Sequence, residues 1–152
     1  MKKILIATDG SEPASEAVDF GIELAAEEDA SVIFVHVAPA FDVIPMQGFG
    51  MSAVIPHVPH VLDEVDRAPL EEAQEKATGQ GVRATSKLLV GDAADEIVAY
   101  ADDQGVDLIV IGSRGHGTLA GALIGSVSRQ VLSQSKLPVT IVRARAAVAA
   151  EH

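Results

Sequence analysis

Apolar residues follow two rhythms along this chain. Residues 3–7, 31–37 and 108–111 are short runs rich in Ile, Val and Leu. They stop at Asp9-Gly10, at Pro39 and at Gly112. Runs of that length bounded by turn residues predict strands buried on both faces of a sheet. Between the first two, Ala14, Ala17, Val18, Gly21, Ile22, Leu24 and Ala25 recur at helical spacing, with Glu23, Glu27 and Glu28 on the other side. Ser11 is placed to cap this helix, and Pro13 falls in its first turn, where a missing N–H does no harm. Strand, helix and strand in so short a span imply a parallel pair with a right-handed crossover.

The rhythm breaks at residues 39–60, where Pro39, Pro45, Pro56 and Pro59 alternate with Phe41, Met46, Phe49 and Met51. That composition predicts a long surface loop, either a plain crossover or a segment apolar enough to cover something or meet a partner. Helical sequence resumes near Val61 and runs to about residue 78, with Pro69 predicted to kink or restart it. Gly79 and Gly81 end it. Residues 82–90 read as a third strand, and Arg83, Thr85, Ser86 and Lys87 put it near a sheet edge. Asp92 caps a helix that turns Ile97, Val98 and Ala101 inward, and Gly105 ends it before the fourth strand. Residues 126–133 form a short helix, and residues 138–142 a fifth strand. Residues 144–152 are an Ala-rich tail without assignment. There is no internal repeat and no domain boundary, so residues 1–143 are expected to form one domain. Five strands alternating with four helices predict an α/β fold, an open parallel sheet with helices on both faces. Ligands of such sheets sit outside the carboxyl ends of the strands, where strand order reverses.

Composition narrows the partners. The 152 residues carry 11 basic and 22 acidic side chains, a net charge of −11. Duplex nucleic acid and anionic membrane surfaces both require clustered Lys and Arg, so neither is an expected partner. No cysteine is present, which excludes disulfides, thiolate metal sites and Cys nucleophiles. The apolar start stops at Thr8-Asp9, too early for a signal peptide, and no run approaches the ~18 apolar residues of a membrane span. A cytoplasmic location is the expectation.

The chemistry concentrates after the fourth strand, in Gly112-Ser113-Arg114-Gly115-His116-Gly117 and, nine residues beyond Gly115, Gly125-Ser126. Strand, glycine loop and helix N-terminus in that order gather backbone N–H groups around one space, which suits a phosphate. A Walker A loop needs a lysine, and none lies between Lys87 and Lys136. Gly115-x-Gly117-x-x-Ala120 formally matches a dinucleotide fingerprint. Only one strand follows it, however, and no acidic residue follows until Glu151. There remains Gly112-x-x-Gly115, nine residues, Gly125-Ser126.

That pattern resembles the nucleotide-binding signature of the universal stress protein family. The resemblance also takes in residues 4–11, Val35-His36-Val37, Val90-Gly91-Asp92, residues 101–111 and residues 138–142, so it covers about residues 2–143. It implies five parallel strands in the order 3-2-1-4-5, with the first and fourth adjacent. Thr8-Asp9-Gly10 and the glycine loop then line one crevice. In ATP-binding members the residue matching Asp9 helps hold the adenosine end, and the backbone matching Val37 meets adenine. Gly112 lies against the ribose, with Arg114 and Gly115 beyond it. Gly125, Ser126 and Val127 bind phosphates. The resemblance implies ATP, with AMP the alternative, and the acidic chain calls for Mg²⁺ to screen a triphosphate. It also implies a homodimer through the fifth strand, unless the tail after Arg143 covers that edge.

Each residue has a second reading. Asp9 either caps the first helix or meets the ligand. Arg114 is either a phosphate partner or a solvated loop residue. His36 is expected to pack against the sheet. His57 and His60 have a ligand-like gap but no evident third ligand, so no metal is assigned. His116 is the one histidine in the glycine loop and a weak candidate for a base. The expected function is therefore an ATP-binding, nucleotide-dependent stress-response regulator in which binding orders residues 113–124 for a protein partner. Two alternatives compete with it. One is a weak ATPase or adenylyl-transferring enzyme of the same architecture, against which stand the missing His-x-x-His and paired glycines at Thr8-Asp9-Gly10-Ser11. The other is a protein-interaction module that binds no nucleotide, against which stands the intact glycine–serine pattern.

Overall fold

The computed structural model describes residues 1–46, 48, 50–56, 59–113 and 124–143. The elements run β1 (Lys3–Ala7), α1 (Glu12–Glu28), β2 (Ser31–Ala38), β3 (Phe41–Met46), β4 (Met51–Pro56), α2 (Pro59–Gly79), β5 (Ala84–Val90), α3 (Ala93–Gln104), β6 (Leu108–Gly112), α4 (Ser126–Gln134) and β7 (Val139–Val142). Five of the strands form one sheet in the order β5-β2-β1-β6-β7, every neighbouring pair parallel. Counting those five alone, the order is 3-2-1-4-5, and β1 and β6 are adjacent at the point where the order reverses.

Because successive strand side chains point to opposite faces, the unbroken apolar runs supply both faces at once. Ile4, Ile6, Phe34 and Val110 pack with Ala17, Val18 and Ile22 of α1 and Leu70, Ala73 and Ala77 of α2. On the other face Leu5, Ile33, Val35 and Ile109 pack with Ala94, Ile97 and Ala101 of α3 and Val131 of α4. Gly21 shows how closely α1 lies on the sheet, since a Cβ there would come within 2.8 Å of Ile6 Cγ1. The polar third strand of the sheet, β5, occupies one edge as its composition requires.

Residues 39–60 depart from the expected loop. β3 and β4 pair antiparallel from Phe41↔Pro56 to Met46↔Met51, as a separate two-stranded sheet. The prolines that suggest a loop are compatible with this, because a two-strand ribbon consists only of edge strands, where a missing N–H is tolerated. Pro69 neither splits nor restarts its helix, which runs unbroken from Pro59 to Gly79. Among the described residues no helix is long and apolar enough to cross a membrane.

Candidate functional site

β1 is the short strand at the switch point. Its pairing ends at Ala7↔Val35 on one side and at Ile6↔Val110 on the other. β2 continues to Ala38 and β6 to Gly112. A notch therefore opens above β1, about 10 Å deep along β2, about 3 Å along β6 and about 10 Å across at ordinary strand rise and spacing. The β1–α1 turn is its floor, Val37 one wall, and Gly112 the other.

The floor is closed by its own side chains. Gly10 N–H donates to Thr8 Oγ1 (3.2 Å), Ser11 N–H to Asp9 Oδ1 (2.9 Å), and Ala14 N–H to Ser11 Oγ (3.3 Å). Ser11 is thus the N-cap of α1, as its sequence position suggests. Asp9 holds the turn by accepting from the N–H of the N-cap residue itself. Gly10 sits at φ +81°, and a Cβ there would lie 3.0 Å from Pro69 Cγ. The positive φ favours glycine, and the close approach of Pro69 leaves little room for a side chain.

Val37 presents main chain. Ser31 donates its N–H to the Lys2 carbonyl, Val32 to that of Arg83, and Thr8 to that of Val35. Odd-numbered residues of β2 therefore turn their hydrogen-bonding groups toward β1, and even-numbered ones toward β5. Val37 is odd and lies beyond the last β1–β2 pair, so its N–H and C=O face the notch.

The opposite wall anchors α4. Ser113, buried, donates its N–H to the Val142 carbonyl (2.8 Å) and accepts from Gly125 N–H at its own carbonyl (2.6 Å). Ser128, only 3% exposed, donates its hydroxyl to the Gly112 carbonyl (2.6 Å). These bonds hold the start of α4 against the end of β6. The N-cap is Gly125, and among the described residues no side chain caps the helix. Ser126 and Val127 follow it, both exposed. The uncapped first turn thus carries the positive end of the helix dipole toward solvent at the notch. Arg129 adds a guanidinium, which donates to the Ile124 carbonyl at 3.2 Å.

The structure brings together Thr8, Asp9, Val37, Gly112, Gly125, Ser126 and Val127 at one end of the sheet. Arg114, Gly115, His116, Gly117 and His57 lie outside the described residues. Gly125 spends its N–H on Ser113, so its place in the arrangement is that of an anchor. His36 does more than pack, since its Nδ1 lies 3.0 Å from the Thr8 carbonyl. Sequence reading missed this contact, and it missed Ser128 and Arg129. Both of the latter look like ordinary helix residues until α4 is docked on β6. A small pocket between α1 and α2 shares Thr8, Gly10 and Ser11 with the β1–α1 turn and is also lined by Pro69, Glu72 and Lys76. That pocket's volume of about 20 Å³ holds about one water.

A sheet of this order defines an open, doubly wound α/β architecture, whose ligand sites lie where the strand order reverses. The model of the Universal stress protein family matches residues 1–143, and the chain belongs to that family. It is 38% identical over 145 residues to the universal stress protein YxiE of Bacillus subtilis, covering 93% of this chain and 98% of that one. Two solved structures are similar throughout. One is a universal stress protein in complex with cAMP, with TM-score 0.67, 30% identity and coverage of 95% and 98%. The other is the universal stress protein from Archaeoglobus fulgidus in complex with dAMP, with TM-score 0.68, 25% identity and coverage of 93% and 98%.

Proposed function

We propose that this universal stress protein binds an adenine nucleotide in the notch above β1, ATP with Mg²⁺ or AMP, and acts as a nucleotide-dependent regulator in the cytoplasm. The observation that carries the reading is the uncapped first turn of α4, tied to the end of β6 and aimed at the same notch as Val37. Adenine offers an amino group beside a ring nitrogen, a match for one C=O and one N–H on a strand edge. The phosphates lie at Ser126 and Val127, where N–H groups, a hydroxyl and the dipole offset their charge. Arg129 joins them, and Arg114 and Gly115 belong to the same loop. Asp9 and Gly112 flank the sugar. The ligands of the two relatives, cAMP and dAMP, share adenine and a single phosphate, which supports the same two anchor points here. Mg²⁺ arrives with the phosphates, whose charge it screens in so acidic a chain.

Binding, not turnover, is the function proposed. Phosphoryl transfer needs a group that positions or deprotonates a nucleophile at the phosphate. The described start of α4 supplies donors and a cation, and neither a carboxylate nor an imidazole. Nucleotide then orders the segment from Ser113 to Ile124 into a surface that a partner protein reads. The outer edge of β7 pairs two chains into a homodimer, and light scattering on Val139→Pro is expected to show monomer.

Isothermal titration of nucleotide-stripped protein with Mg·ATP and with AMP tests the main claim. Micromolar binding is expected for the wild type, with loss in a Gly115→Val/Ser126→Ala variant. No heat, together with an unchanged melting temperature, would sink the nucleotide reading in favour of the interaction module.

A further inference from the structure

The β1–β2 ladder ends in an unusual way. Thr8 donates its N–H to the Val35 carbonyl at 2.9 Å, as a regular parallel ladder requires. The next two bonds of that ladder would run from Val37 N–H to the Thr8 carbonyl and from Gly10 N–H to the Val37 carbonyl. Side chains occupy both partners instead. The Thr8 carbonyl accepts from His36 Nδ1 at 3.0 Å. Gly10 N–H donates to Thr8 Oγ1 at 3.2 Å. A carbonyl offers only lone pairs, so Nδ1 must carry the hydrogen, and it does so in both the neutral and the charged ring.

We infer that His36 is a positioning residue: with the Thr8 hydroxyl it stops the β1–β2 ladder one step early, and so keeps the main-chain pair of Val37 available to a purine edge. The ligand in this statement rests on the function proposed above, and the mechanism of opening is independent of it. Without the imidazole, the Thr8 carbonyl loses its partner beside a strand whose next N–H is in register to replace it. A bare carbonyl is costly in a half-buried place, and the backbone relieves it by extending the ladder through Val37. That closes the wall of the notch. His36 is half-buried and two bonds from the ligand's edge, so it acts through Val37 rather than by touching the nucleotide.

Amide hydrogen exchange followed by NMR on the full chain tests this, with and without AMP. In ligand-free His36→Leu, the Val37 amide is expected to exchange at least about tenfold more slowly than in wild type, with the Val35 amide unchanged. AMP affinity falls about tenfold, the worth of one main-chain bond. His36→Asn places its amide N–H two bonds from Cβ, as Nδ1 is in histidine, and is expected to restore wild-type exchange and affinity. Should His36→Leu fail to fold, His36→Val, β-branched like its strand neighbours and likewise without a donor, serves in its place. Unchanged Val37 exchange in the donor-less variant would overturn the inference. A wild type that binds no adenine nucleotide would overturn the functional reading alone, because the ligand-free exchange rates still decide the role of His36.

Discussion

At one end of the sheet two strands hand over to helices, and the two turns are built in opposite senses. The β1–α1 turn is self-contained. Thr8, Asp9 and Ser11 each accept a main-chain N–H within three residues, and in the first turn of the helix Ala14 N–H is capped while Pro13 has none to satisfy. The β6–α4 turn spends its bonds on anchorage: Gly125 to Ser113, Ser128 to Gly112 and Ser113 to Val142. Its helix begins on a glycine with no side-chain cap. Both helices need partners for their first N–H groups. One takes a cap from its own N-cap side chain, and the other, among the described residues, has no side-chain cap. The binding role proposed for the β6–α4 turn rests on this missing cap, which its neighbour retains.

The most severe way to break this contrast is to give α4 the cap it lacks. Gly125 has φ −71° and ψ 168°, extended backbone that any residue adopts. Gly125→Asp places a carboxylate over the first-turn N–H groups, where a phosphate is proposed to sit. Nucleotide affinity is expected to fall at least about 100-fold by titration, because two anions would compete for one set of donors. Ligand-free stability is expected to rise by about 0.5 kcal/mol in urea unfolding, from the cap and the dipole together. Loss of affinity with loss of stability would mean that the substitution disturbs the fold, and that α4 is not an open site.

A milder pair of changes sharpens the contrast. Ser11→Ala removes the cap of α1 and is expected to cost about 0.5–1 kcal/mol of stability, with affinity changed less than twofold. Ser126→Ala removes a hydroxyl from the exposed first turn of α4. It is expected to leave the urea midpoint unchanged and to weaken nucleotide binding about fivefold, as for loss of one hydrogen bond to a charged group. Equal effects of the two serines on the same observable would erase the distinction between a closed and an open turn.

How much of this is legible before folding follows from which interactions are local. β1 is bounded by its apolar run and by Asp9-Gly10, and Ser11 and Asp92 act as caps because a cap is read from adjacent residues. The polar residues of β5 foretell its edge position. The β3–β4 ribbon is hidden because Pro45 and Pro56 contradict strand propensity, and only the opposing strand makes Pro45↔Ser52 a pair. His36 is hidden for another reason. Its bond spans 28 residues and exists only because Ala7 falls opposite Val35. Between Val35 and Val37 an imidazole looks like strand filling. Ser128 is the same kind of case, a small residue on a helix whose hydroxyl gains meaning only when α4 meets Gly112.

The other end of the sheet offers a control with the smallest expected effect. There Asp107, just before β6, accepts from Lys2 N–H (2.8 Å) and Lys3 N–H (3.0 Å) at one carboxylate oxygen, closing the start of β1 as Thr8, Asp9 and Ser11 close its finish. Those bonds, that of Lys2 first and that of Lys3 next, hold the Asp107 carboxyl below the ordinary aspartate range. The folded state therefore prefers the ionised form. The stabilisation is present above the unfolded aspartate value, about pH 4, and is lost as pH falls through the lower folded value. Asp107→Asn is expected to lower the melting temperature slightly at neutral pH and to flatten its decline below about pH 4. Nucleotide affinity should not move, since the pair lies a full strand length from the notch. A change in affinity in this variant would mean that the two ends of β1 are coupled, and that the closed turn transmits strain to the open one.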